Sequence, residues 1–196
     1  MKKGLKPNIP ERGGKIAIIG HSGSGKSTLA AFLSEKYGLP LMHIDSIHFL
    51  PNWAERETED ELGIMRAFLD ENSENGWVID GNYRKLEHER RMEEADLIIY
   101  LNFNRWICYF RCLRRSRKYK NKVRSSIAPG CEEKFDFAFQ KWILHDGRTK
   151  PKLKRYAALV ERYRGKSVEL RSRKDVERFK ELLEPPKEKA HSGESE

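Results

Sequence analysis

The chain has 196 residues, enough for one α/β domain with a sizeable core and short for two. Its net charge of +9, with 35% of residues charged, describes a protein that meets something anionic, whether nucleotide, nucleic acid or an acidic membrane surface. No apolar run approaches membrane-spanning length and the N-terminus MKKGLKPNIPERGG lacks the apolar stretch of a secretory signal, which points to a cytoplasmic protein without a membrane partner.

Residues 1–14 are polar, with two prolines and a glycine pair, and read as a flexible tail. Ile16 to Gly20 then predicts a buried strand, and Lys26 onward a helix with Leu29, Phe32 and Leu33 on one face. Between them, Gly20-His21-Ser22-Gly23-Ser24-Gly25-Lys26-Ser27 fits G-x-x-x-x-G-K-[ST] in full. The glycines let consecutive backbone N–H groups point into one small cavity, and the helix start adds its partial positive charge. An anion belongs there. In a phosphate loop Lys26 reaches the β- and γ-phosphates of ATP, the Ser27 hydroxyl holds Mg²⁺, and Gly20 to Thr28 together hold the donor.

LMHID (Leu41–Asp45) predicts a second strand, followed by a loop with Pro51 and Trp53. A helix over about 58–71 is opened by the capping box Thr58-x-x-Glu61. WVID (Trp77–Asp80) predicts the third strand, and ADLIIYLNF (Ala95–Phe103) the fourth, with the continuous apolarity of a strand covered on both faces. Helices over about 105–117, 132–145 and 151–163 precede a fifth strand, SVEL (Ser167–Leu170), and a last helix over about 174–183. Residues 184–196 have almost nothing to bury and read as a disordered tail. This alternation over 15–183 predicts an α/β fold, with a five-stranded parallel sheet between two layers of helices, and the phosphate-loop motif after the first strand makes it a P-loop NTPase fold.

In such sheets ligands bind beyond the carboxyl ends of the strands. Asp45 ends the second predicted strand, with Ser46 and His48 just after it. Asp80 ends the third and leads into Gly81-Asn82-Tyr83-Arg84. Asp45 and Asp80 are the two carboxylates able to hold a water on Mg²⁺ or accept a proton from an attacking hydroxyl, unless each merely caps the next turn. Arg84 could clamp a phosphate with its planar fork or sit solvated at a helix start. His48, beside Phe49 and Leu50, is either a substrate-side or a packing histidine.

The densest basic stretch is RCLRRSRKYKNKVR (Arg111–Arg124), with no acid from Arg105 to Gly130. Arg111 and Arg115 share a helix face, with Arg114 beside them. They belong either to a lid-like region over about 105–150 that brings arginines onto a polyphosphate, or to a nucleic-acid footprint. Arg148 and Arg155 could join the same cluster. Cys108, Cys112 and Cys131 have no disulfide-framework spacing and no C-x-x-C knuckle. A zinc site with His145 is therefore a weaker reading than buried, reduced thiols. No N-K-x-D follows the fourth strand and no Asp-Glu pair ends a strand, which weighs against guanine-specific GTPases and helicase-like ATPases.

With these pieces in place the chain resembles the adenylate-kinase-related P-loop kinases, and more closely the bacterial DNA topology modulation proteins (FlaR-type). The matching segments are IGHSGSGKSTLA, LPLMHIDSIHFLPNW, WVIDGNY, DLIIYLNFNRWICYFRCLRR and APGCEEKFDFAFQKWI, within about 15–183. The resemblance implies an ATP- and Mg²⁺-dependent kinase for a nucleotide or other small molecule. It puts Arg84 where adenylate kinases grip the acceptor's phosphate, and Arg111 and Arg115 at an Arg-x-x-x-Arg pair that reaches ATP and the lid. Arg148 and Arg155 look like later lid arginines. The short segment between Asp45 and Trp77, the missing four-cysteine lid and the sequence HIDSIHF depart from adenylate kinases, and leave the acceptor open. The basic stretch motivates a second reading, a nucleic-acid-binding regulator that uses ATP as a switch.

Overall fold

The structure, a computed structural model, describes residues 14–120 and 126–184. The two expected tails, but for Gly14 and Glu184, lie outside the described residues, as do residues 121–125, which include the end of the basic stretch.

Apolar alternation decides the layers. β1 (Lys15–Gly20) sends Ile16 and Ile18 to one face of the sheet and Ala17 and Ile19 to the other, because successive strand side chains point in opposite directions. α1 (Lys26–Tyr37) covers the first face through Leu29 and Leu33. β2 (Leu41–His43) is followed at once by α2 (Ile44–His48), then by a small hairpin of β3 (Phe49–Leu50) and β4 (Ala54–Glu55). α3 (Thr58–Glu71) covers the second face through Met65 and Leu69, and β5 (Trp77–Asp80) is buried throughout. α4 (His88–Glu94) leads to β6 (Leu97–Leu101), again buried along its length. α5 (Arg105–Lys118), α6 (Phe137–Leu144) and α7 (Lys150–Arg162) precede β7 (Ser167–Leu170) and α8 (Arg173–Leu183).

The main sheet has five parallel strands in the order β2-β5-β1-β6-β7. The strand order reverses beside β1, so the crevice for a ligand opens at the end of the strand that carries the phosphate loop. This is the expected α/β architecture.

Several expected boundaries are corrected. β2 ends at His43, and Asp45 stands in α2 rather than at a strand end. The capping box at Thr58 does not form. Thr58 is already helical, no side chain caps α3, and Glu61 turns instead to His48. α6 starts at Phe137, later than expected, where Asp136 caps it by accepting from the Phe139 N–H at 2.8 Å. α4 has no expected counterpart, because HERRMEE carries too little apolar periodicity to be read as a buried helix.

Candidate active site

The phosphate loop is shaped by three glycines in the left-handed half of backbone space: Gly20 (φ 147°), Gly23 (φ 76°) and Gly25 (φ 100°). At Gly23 the need is also steric, since a Cβ there would lie 2.5 Å from the Cys108 carbonyl oxygen and 2.7 Å from Cys112 Sγ. The loop therefore rests directly on α5. Gly25 stands at the N-terminus of α1, where no side chain caps the free N–H groups and an anion can. Lys26 Nζ donates to the His21 carbonyl at 3.2 Å, while Ser24 Oγ is buried without a hydrogen-bond partner. His21 is itself buried against Tyr100 and Tyr156. Burial, with Arg148 and Lys26 nearby, lowers its pKa to about 3, so its imidazole is neutral.

Ser27 Oγ donates to Asp80 Oδ2 at 2.8 Å. The other oxygen, Oδ1, is hydrogen-bonded to His43 Nδ1. Asp80 is only 5% exposed, and it sits in register with Ile18 of β1 on one side and His43 of β2 on the other. An alcohol and a carboxylate beside a phosphate-binding loop are hard oxygen donors. They fit Mg²⁺, which takes one or two protein oxygens and fills its other positions with water and substrate phosphates.

A second group of side chains surrounds α2. Asp45 Oδ1 accepts from the Tyr83 hydroxyl at 2.8 Å, and burial followed by the Asp45 charge raises the Tyr83 pKa, keeping the phenol protonated as a donor. His48 Nδ1 is 2.7 Å from Oε1 of the buried Glu61, and its ring packs on Phe49 at 4.5 Å and Tyr83 at 4.6 Å. Phe49 meets Trp53 edge-on at 5.1 Å. Asn52 and Trp53 both have left-handed backbones (φ 63° and 66°), a conformation costing a bulky side chain about 1–2 kcal/mol. The strain is offset where the Trp53 indole N–H donates to the Glu132 carbonyl at 2.8 Å, the Asn52 N–H to the Gly130 carbonyl at 3.2 Å and Cys131 Sγ to the Leu50 carbonyl at 3.1 Å. The hairpin is thus clamped to the segment before α6.

The expected arginines divide. Arg111 stacks over the Phe103 ring at 4.5 Å and donates to the Ser24 carbonyl at 2.9 Å, so it reaches the phosphate loop. Arg115 is paired with the buried Glu133 at 2.7 Å. Arg148 is buried and donates to the carbonyls of Phe103 at 2.9 Å and Ile143 at 3.2 Å and to Cys108 Sγ at 3.1 Å, which fits a strut better than a lid arginine. Arg84 and Arg155 are exposed at the cleft. The 105–150 region does not stand off as one arm, because Cys108 and Cys112 of α5 are fully buried in the core with Ile143 of α6. The zinc reading fails on geometry: Cys131 belongs to a separate small cluster and His145 is exposed.

One cleft of about 1940 Å³ joins these parts, running from the phosphate loop past Asp45 and His48 to Arg84 and across to Arg111 and Arg155. Sequence reading missed His43 and Glu61 as site residues and named Tyr83 only within the run that follows Asp80. His43 would have followed from the strand-end rule had β2 been ended two residues earlier. The partnerships of Tyr83 and Glu61 have no local signal.

The chain matches no family model and no curated protein. Among solved structures it is similar to a gluconokinase from Sinorhizobium meliloti (17% identity, 89% of this chain and 91% of that one, TM-score 0.48). It is similar to a deoxyadenosine kinase from M. mycoides with bound dATP (16% identity, 86% and 96%, TM-score 0.49). It is also similar to a sugar kinase from Janibacter sp. (16% identity, 89% and 95%, TM-score 0.47).

Proposed function

We propose that the protein is an ATP-dependent kinase that transfers the γ-phosphoryl group to a small-molecule or nucleotide acceptor, as its resemblance to adenylate-kinase-related kinases implies. The observation that carries this reading is the Ser27–Asp80 pair at the mouth of a complete phosphate loop, opening into a cleft with room for a second substrate. Gly20 to Thr28 hold the donor phosphates, Lys26 spans the β- and γ-phosphates, and Ser27 and Asp80 hold Mg²⁺, Asp80 through water. Bound there, Mg²⁺ supplies charge neutralisation at the transferring group. Arg111, already against the loop, offsets charge that develops on the phosphoryl oxygens, and Arg115 joins it when released from Glu133. Asp45, His48 and Arg84 surround the acceptor.

The test is ADP release from Mg·ATP across a panel of acceptors, wild type beside Lys26→Ala. Acceptor-stimulated release that is lost in the variant supports the reading. Equal release in both, or slow hydrolysis indifferent to every acceptor, sinks it and favours an ATP-switched regulator.

A further inference from the structure

The two ends of the cleft differ in chemistry. Around the phosphate loop it is basic, with Lys26 and Arg111, whereas around α2 it is lined by Asp45, Glu55, His48, Phe49, Tyr83 and Trp53, with Lys134 5.8 Å over the Trp53 ring and Arg84 exposed at the rim. His48 Nδ1 is committed to buried Glu61, and Glu55 lies 3.9 Å from His48 Nε2, so the nearest imidazole already faces two carboxylates. A phosphate dianion beside Asp45 would meet like charge. The aromatic wall is held rather than incidental, since Trp53 keeps a left-handed backbone and anchors its indole N–H to Glu132.

We infer that the acceptor is an uncharged, hydroxyl-bearing compound with a flat or apolar face, such as a nucleoside or a sugar, and that Asp45 is the group that takes its proton. This rests on the kinase reading. The acceptor's apolar face lies on the Phe49–Trp53 wall, and its hydroxyl reaches Asp45 Oδ2 while Tyr83 holds Oδ1 at 2.8 Å. The hydroxyl oxygen forms the new bond to the γ-phosphorus, the bond from that phosphorus to the β–γ bridging oxygen breaks with its electron pair leaving on ADP, and the hydroxyl proton passes to the Asp45 carboxylate and on to water. Arg84, exposed at the rim, is the residue that would favour a phosphorylated acceptor instead.

The experiment compares ADP release stimulated by nucleosides, by hexoses and by the corresponding nucleoside and hexose monophosphates, with binding of a fluorescent ADP analogue measured alongside. Stimulation by a neutral compound and not by its monophosphate is expected, and the nucleoside and hexose arms tell the two sources apart. Asp45→Asn lowers kcat for that acceptor about 100-fold with the ADP analogue still bound at wild-type affinity. Tyr83→Phe raises KM for the acceptor and leaves analogue binding unchanged. Turnover driven by monophosphates and not by the neutral compounds, with the ADP analogue bound, overturns the inference alone, whereas release that no compound stimulates overturns the kinase reading as well. Failure to bind the ADP analogue overturns the kinase reading and the inference with it.

Discussion

His43 and Asp80 end neighbouring parallel strands in register, and the imidazole Nδ1 is hydrogen-bonded to the carboxylate. Since Ser27 holds the other carboxylate oxygen, both oxygens of a nearly buried Asp80 are fixed by protein groups, and the proposed Mg²⁺ site depends on them. Residues that orient a metal ligand in this way are commonly worth 10–100-fold in metal affinity or activity. His43→Ala is therefore expected to raise the Mg²⁺ concentration for half-maximal ADP release by about 10-fold or more. A Mg²⁺ titration identical to wild type would show that Asp80 needs no such support.

Gly23 is where the phosphate loop touches α5. Alanine there adds a left-handed backbone strain of about 1–3 kcal/mol to an overlap with the Cys108 carbonyl and Cys112 sulfur. At about 2–4 °C per kcal/mol for a chain of this size, thermal unfolding of Gly23→Ala falls by several degrees, and nucleotide binding weakens because the loop must shift. Gly63→Ala, in α3 with open space around it, is the control and leaves both unchanged or slightly improved.

Arg91 is fully buried and binds three main-chain carbonyls, at Leu86 (2.8 Å), Tyr83 (2.7 Å) and Gly81 (3.3 Å). Burial lowers its pKa to about 10, so it stays charged at neutral pH. It fastens the segment that carries Asn82, Tyr83 and Arg84 into the cleft. Arg91→Met, which keeps the apolar stem but strands the carbonyls, is expected to cost about 2–4 kcal/mol in urea unfolding. Arg91→Lys recovers only part of it, because one ammonium cannot copy the fork.

His21 and His88 are held neutral by burial, with pKa values lowered to about 3 and about 4. The unfolded chain protonates both below about pH 6.5, so it binds more protons than the folded one in the window from there down to about 4. Stability from these groups is therefore intact above pH 6.5 and falls as pH drops, with a slope approaching about 1.4 kcal/mol per pH unit for each. Urea midpoints at pH 7.5, 5.5 and 4.5 measure the fall. In His88→Gln the drop between pH 6.5 and 4.5 is smaller; an unchanged slope would mean His88 is protonated in the folded protein.

Much of this molecule was legible in its sequence because the signals are local. The phosphate loop is a spacing of glycines before a lysine, and β5 and β7 are short strands whose ends fall where expected. That the sheet is parallel follows from alternation, since parallel strands need crossover helices. Asp80 and Asp45 could be picked out by proximity to strand ends, although Asp45 is in α2.

What local sequence could not decide are the partners. Nothing in HERRMEE says that one arginine turns inward to three carbonyls, and nothing in the Arg111-to-Arg115 spacing says that one reaches the phosphate loop while the other is paired with Glu133. His43 and Asp80 are 37 residues apart in the chain, and His48 and Glu61 are 13 apart. Only the register of β2 against β5 and the packing of α2 on α3 bring them together. The sequence determined the phosphate loop and the layers by itself, because backbone geometry and apolar periodicity are written residue by residue. The tertiary structure decided which charges meet, because a side chain's partner depends on how distant elements dock.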